Sequence, residues 1–144
     1  MRRLVVDASV ALKWFKAEGE AGVEAARALL SGVEAARALL SEFEAGRLEL
    51  VAPALLPLEL LNVLGRRARW PDQELRAAAA RLDRLALRIL DPDLVVVAGW
   101  VGRGLSAYDA AYVAVAEQLG LPLVTADARL LAVAGPPAVA LTEA

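Results

Sequence analysis

The chain has 144 residues, 58% of them hydrophobic, with a formal net charge of −2 and a pI near 5.2. It contains no cysteine and no histidine, which excludes disulfides, thiol nucleophiles, zinc held by thiolate or imidazole, and any imidazole base. The acidic balance also argues against a protein that coats nucleic acid through a broad basic surface, and the length fits one domain.

In chain order, Leu4-Val5-Val6 followed by Asp7-Ala8-Ser9 reads as a short buried strand that ends at a polar turn. Ser9 is placed to cap a helix from Val10 to about Lys16. Further strands are expected at Leu48–Val51, closed by Pro53, at Leu121–Thr125, and at the edge over Ala138–Leu141. Helical patterns fill the intervals: about Glu20–Ala45, Leu55–Arg69, Pro71–Leu87, Asp93–Arg103 and Ser106–Leu119, with another short helix after Asp127. Strands alternating with helices predict a single α/β domain over 1–144, with a parallel sheet covered on both faces. The densest apolar run, Leu94–Val101, falls short of the ~18 residues a membrane span needs. The N-terminus also lacks the layout of a secretion signal. A soluble, cytoplasmic protein with no membrane partner is the expectation.

Gly22–Ser31 reads GVEAARALLS, and Gly32–Ser41 repeats it letter for letter. Two short copies do not make a solenoid. At about 100° per residue, ten residues fall about 80° short of three turns, so the copies face different directions on a straight helix. Ala26, Leu30, Val33, Ala36, Leu40 and Phe43 nevertheless continue one apolar stripe across the junction. The 22–41 segment is expected to form a protruding long helix, or to break at Ser31-Gly32.

Four acids stand out. Asp7 and Asp127 each follow an apolar strand and precede a helix. In an open parallel sheet that is where ligands bind, and it is equally where an Asp caps a helix. Glu59 lies just inside a helix opened by Pro57, and Glu59, Asn62 and Arg66 form its polar stripe at i, i+3 and i+7. That stripe is either a solvated face or a cleft lining. Asp109 ends Ser106-Ala107-Tyr108-Asp109, a capping box in its own right. Carboxylates brought together repel one another and raise each other's pKa values. With no imidazole or thiolate in the chain, a hard cation such as Mg²⁺ or Mn²⁺ is the group that would neutralise them. Such ions activate water for phosphodiester cleavage, with Ser9, Asn62 and Thr125 orienting the carboxylates or their waters.

The segments Leu-Val-Val-Asp7-Ala-Ser-Val, Pro-Leu-Glu59-Leu-Leu-Asn-Val-Leu, Leu-Ser-Ala-Tyr-Asp109-Ala-Ala-Tyr and Leu-Val-Thr-Ala-Asp127, in that order, resemble PIN domains, and among them the VapC-type toxins of toxin–antitoxin pairs. The resemblance spans essentially the whole chain. It implies a three-layer α/β/α domain with a central, mainly parallel sheet and Mg²⁺- or Mn²⁺-dependent hydrolysis of RNA by water. It assigns Asp7, Glu59, Asp109 and Asp127 as the catalytic, metal-binding acids, the last position being the least uniform, and Ser9, Asn62 and Thr125 as their supports. It also implies a homodimer and a small antitoxin that docks near the active site. One departure is the separation of Asp7 from Glu59 by 52 positions. Removing one copy of the decapeptide brings it to 42, which fits the family better.

Arg66, Arg67 and Arg69 follow the Glu59 helix, and Arg76, Arg81, Arg84 and Arg88 spread along the next. They read as a solvated surface paired with Glu74 and Asp83, or as a phosphate-binding rim or antitoxin contact. Trp14, Trp70 and Trp100 are too scattered for a base-stacking platform and read as packing residues. Against the ribonuclease stands a catalytically weak interaction module that binds an antitoxin-type helix, for which the full set of acids has no evident use. Asp7-Ala8-Ser9 lacks the second Asp of a carboxylate-nucleophile phosphatase, and no G-x-G-x-x-G follows the first strand to hold a dinucleotide.

Overall fold

A computed structural model describes residues 1–16 and 23–144, with side chains over 1–15 and 32–144. The strands are β1 (Arg2–Val6), β2 (Leu48–Ala52), β3 (Arg88–Ile89), β4 (Leu123–Thr125) and β5 (Ala138–Ala140). The helices are α1 (Ala8–Lys16), α2 (Val23–Glu44), α3 (Leu55–Asn62), α4 (Asp72–Arg84), α5 (Leu94–Gly102), α6 (Ala107–Leu119) and α7 (Ala128–Ala134). A π turn over Val63–Arg67 continues α3, and a 3₁₀ turn over Leu141–Glu143 follows β5. All pairings are parallel and the strand order is β3-β2-β1-β4-β5. Val5 pairs with Val51 of β2 on one side and with Leu123 of β4 on the other.

Leu4, Val5 and Val6 are all buried although successive strand residues face opposite ways. Helices therefore cover both faces of β1, as an all-parallel sheet requires. The chain builds outward from β1 through β2 to β3, then returns to lay β4 and β5 on the other side. Its direction reverses between β1 and β4, and crevices for ligands open at the carboxyl ends of strands at such a point. No helix among the described residues is long and apolar enough to cross a membrane.

Helix α2 runs through Ser31-Gly32 without a break. Its second decapeptide copy carries the contacts that can be described: Val33, Ala36, Leu39 and Leu40 are buried, with Phe43 packed at the core's margin. Trp14 Nε1 donates to the Ala36 carbonyl at 2.9 Å. A Cβ placed on Gly32 would meet Lys13 Cε at 2.7 Å, so the end of the Lys13 side chain lies across Gly32. The side chains of Ala26 and Leu30, the first half of the expected stripe, lie outside the described residues.

Three expectations need correction. Strand β3, unforeseen, is two exposed residues held through the ladder and by Leu90 N–H donating to Ala52 O at 3.0 Å; so short a strand leaves no pattern in the sequence. The helix expected over Leu55–Arg69 widens at Val63 into the π turn and stops at Arg69, whose φ is 54°. And α1 begins at Ala8, so Ser9 lies inside the first turn and does not cap it. The Asp7 carboxylate caps instead, accepting from Val10 N–H at 3.3 Å.

Candidate active site

A cleft of about 450 Å³ at the carboxyl end of the sheet is lined by Asp7, Ser9, Glu59, Asn62, Arg67, Asp109, Tyr112 and Asp127, with Ala8, Leu12, Leu60 and Val63. All four acids read from the sequence line it. They arrive from four separate segments: the end of β1, the second turn of α3, the first turn of α6 and the loop after β4.

Asp7 is 4% exposed. Burial raises its pKa, hydrogen bonds from Ser9, Thr125 and the Val10 amide oppose that rise, and the charge of Asp127 adds to it. Ser9 Oγ donates to Oδ1 and Thr125 Oγ1 donates to Oδ2, each at 2.5 Å. Each hydroxyl has one proton to give, and both are directed at Asp7. The same oxygens accept from backbone: Ser9 Oγ from Ala126 N–H at 2.9 Å, and Thr125 Oγ1 from Asp127 N–H at 3.0 Å. The seam between β1 and β4 is thus stitched by two hydroxyls around one carboxylate.

Asp127 caps α7, accepting from Arg129 N–H at 2.9 Å and Leu130 N–H at 3.2 Å through one oxygen, Oδ1. Asp109 sits where Ser106 Oγ caps α6 by accepting the Asp109 N–H at 3.1 Å. The capping and cleft readings, set against each other in the sequence, are held by the same residues. Burial raises the Asp109 pKa, the nearby Asp127 charge raises it further, and Arg129 offsets part of the rise. The Glu59 pKa is raised by burial and by the charges of Asp109 and Asp7, against a hydrogen bond from Tyr112.

Tyr112 was not singled out in the sequence. Its hydroxyl donates to Glu59 Oε1 at 3.0 Å from a side chain only 1% exposed. Burial and the carboxylates push its own pKa far up, so it stays a donor at any ordinary pH. The available signal was spacing: Tyr112 lies three residues after Asp109 and shares its helix face.

Asn62 lines the cleft, and Arg66, the third member of the expected stripe, does not; Arg67 does. Along an α-helix, seven residues turn about 700°, returning Arg66 to the Glu59 face. A π turn closes its hydrogen bonds one residue later, as Ala68 N–H donating to Val63 O shows. The face therefore passes to Arg67.

Every donor atom that the acids offer is a hard oxygen, and among the described residues no three carboxylates stand close enough to form a ready ligand cage. An ion that keeps several of its own waters and takes one or two carboxylates suits such a site, as Mg²⁺ does. Three of the four acids carry raised pKa values to which a neighbouring acid's charge contributes, a cost that a divalent cation offsets. The residues present fit the group.

The sequence matches the PIN domain family over residues 4–136. Comparison with curated protein sequences finds no match. Among solved structures, PAE2754 from Pyrobaculum aerophilum is 28% identical with a TM-score of 0.61, covering 97% of this chain and 91% of its own. VapC20 from Mycobacterium tuberculosis, a sarcin-ricin loop-cleaving toxin, is 18% identical with a TM-score of 0.63, covering 90% and 93%. FitAcB from Neisseria gonorrhoeae is 17% identical with a TM-score of 0.60, covering 94% and 95%.

Proposed function

The chain belongs to the PIN-domain family, whose members are generally nucleases, and from that premise we propose that it is a metal-dependent endoribonuclease, the toxin of a toxin–antitoxin pair. The observation that carries this reading is the convergence of Asp7, Glu59, Asp109 and Asp127 on one cleft. VapC20, which shares the fold at 18% identity, is a sarcin-ricin loop-cleaving toxin.

Bound Mg²⁺ or Mn²⁺ would supply an acidified water and positive charge facing the oxygens of the phosphodiester. It would take one or two direct ligands from among Asp7, Glu59, Asp109 and Asp127 and meet the others through its own waters. Asp7 is orientated in advance by Ser9 and Thr125, and Tyr112 fixes one oxygen of Glu59. Asp127 commits only Oδ1 to its helix cap. Asp109 is half-buried, and burial and the Asp127 charge raise its pKa, a cost that a cation would offset.

A cytoplasmic location, an antitoxin partner and a homodimer belong to the same reading. Helix α5 supports an intermolecular contact: Leu94, Val95 and Val101 are exposed on it, and Gly99 and Gly102 have nothing within 4 Å of a would-be Cβ.

Cleavage of a mixed set of structured RNAs, with and without Mg²⁺ or Mn²⁺, tests the reading. Wild-type protein free of antitoxin is expected to cut only with metal, and Asp7→Asn is expected to stay folded and cut nothing. A folded wild type that cuts no RNA in either metal would overturn the nuclease and favour the interaction module.

A further inference from the structure

We infer that Arg67 binds a backbone phosphate of the RNA entering the acidic cleft, an assignment that rests on the ribonuclease reading and adds a substrate-positioning residue to it. A site of four carboxylates repels the polyanion it is to cut, so something on the chain must draw the phosphates in. Arg67 is the one cation among the described residues that line the cleft.

Three observations support the assignment. Arg67 is exposed and forms no ion pair or hydrogen bond with a described residue. None of the four acids pairs with it within 4.0 Å, so its charge is not consumed by them. Its guanidinium therefore stands at the lip of the cleft, available to an incoming anion. Finally, the π turn puts it there. In an unbroken α-helix Arg66 would share the Glu59 face and Arg67 would lie about 80° round from it. The widened turn gives Arg67 the place beside Glu59 and Asn62 and leaves Arg66 outside the cleft. π turns inside helices occur frequently at functional sites.

Arginine suits this task. Its guanidinium stays charged and presents a planar fork of donors to phosphate oxygens. Two cations of α4 are engaged elsewhere. Arg76 pairs with Asp72 on the outer face of α4, and Arg81 stacks over Phe15, 4.9 Å from the ring centre, so neither is free to serve the cleft.

The test uses Mn²⁺-loaded protein and a short single-stranded RNA, comparing wild type, Arg67→Ala, Arg67→Lys and Arg66→Ala. Arg67→Ala is expected to raise KM about tenfold, the scale of one charge-assisted hydrogen bond, with kcat changed much less. In the Asp7→Asn background, where RNA is bound but not cut, the same change is expected to reduce the slope of log affinity against log salt by about 0.7, one phosphate contact on a single strand. Arg67→Lys should restore the slope and part of the affinity, Arg66→Ala should leave both as in wild type, and thermal melting should be the same for all. Normal cutting by Arg67→Ala with KM and salt slope unchanged would overturn this inference alone, as would an equal effect of Arg66→Ala. Absence of RNA binding and cutting by the wild type would overturn the ribonuclease reading together with it.

Discussion

The Asp7 corner and the Glu59–Asp109 rim face each other across one cleft, yet the chain treats their carboxylates differently. At the corner, Asp7 is buried and receives a hydroxyl hydrogen bond on each oxygen, and each hydroxyl is in turn fixed by a backbone amide. At the rim, Glu59 has one such donor, Tyr112, and Asp109 is set mainly by burial and by repulsion from Asp127. The corner fixes an orientation before any ligand arrives. The rim leaves its acids room to move towards one. A buried carboxylate is tolerable only when its hydrogen bonds are complete, so the corner is also part of the framework, while the rim carries little of that structural duty.

The largest expected effect comes from breaking the corner. Thr125→Val keeps the shape and removes the donor to Asp7 Oδ2. Loss of a hydrogen bond to a buried charge costs about 1.5–3 kcal/mol, which for a domain near this size lowers the melting temperature by roughly 4–10 °C. Thr125→Ser should recover most of it. Metal-free thermal unfolding measures this, and a Val variant that melts with the wild type would mean that the corner is not held by Thr125.

Tyr112→Phe probes the rim in the same way and should cost less, about 1 kcal/mol for one partly exposed acceptor, since Glu59 can turn to water. Its larger consequence is expected in metal affinity. Calorimetric titration with Mn²⁺ should find binding weakened several-fold while the melting temperature falls by only about 3 °C. Equal losses in both would assign Tyr112 to packing alone.

The smallest expected effect sharpens the contrast through pH. The pKa values of Asp7, Glu59 and Asp109 all lie above their ordinary values of 3.8, 4.5 and 3.8. The native state therefore binds these protons more tightly than the unfolded chain does. Their contribution to stability is greatest at low pH and is lost as pH rises through the raised native values. In a chelator, the protein should melt a few degrees higher near pH 5 than near pH 7, and Asp109→Asn should flatten that trend. Added Mn²⁺ should stabilise most at pH 7, where the acids are charged. A melting temperature that climbs steadily from pH 5 to 7 without metal would contradict this account.

Most of the corner was legible in the sequence, because it is built from local patterns. An apolar triplet followed by Asp-Ala-Ser, and another followed by Ala-Asp, mark two strand ends, and strand ends in a parallel sheet share an edge. Ser106 before Asp109 likewise announced a helix start. The rim was legible in its acids and wrong in its geometry. A polar stripe at i, i+3, i+7 assumes an α-helix throughout, and nothing in Val63-Leu64-Gly65-Arg66-Arg67 declares that the turn will widen. The stripe therefore ran to Arg66, whereas it is Arg67 that lines the cleft. Tyr112 went unremarked because its burial and its polar contact are both products of tertiary packing. Strand β3, two residues long, fell below any periodic signal.

The stitch between Asp7 and Thr125 joins positions 118 residues apart, and Asp127 lies just beyond. On the ribosome, where chains grow at about 5–20 residues per second, Asp7 emerges roughly 6–24 s before its second hydroxyl donor has even been made. Until β4 slots in beside β1, the corner lacks Thr125 and the cleft lacks Asp127. A nascent chain of this protein is thus unable to assemble its cleft until the residues through Asp127 have been made.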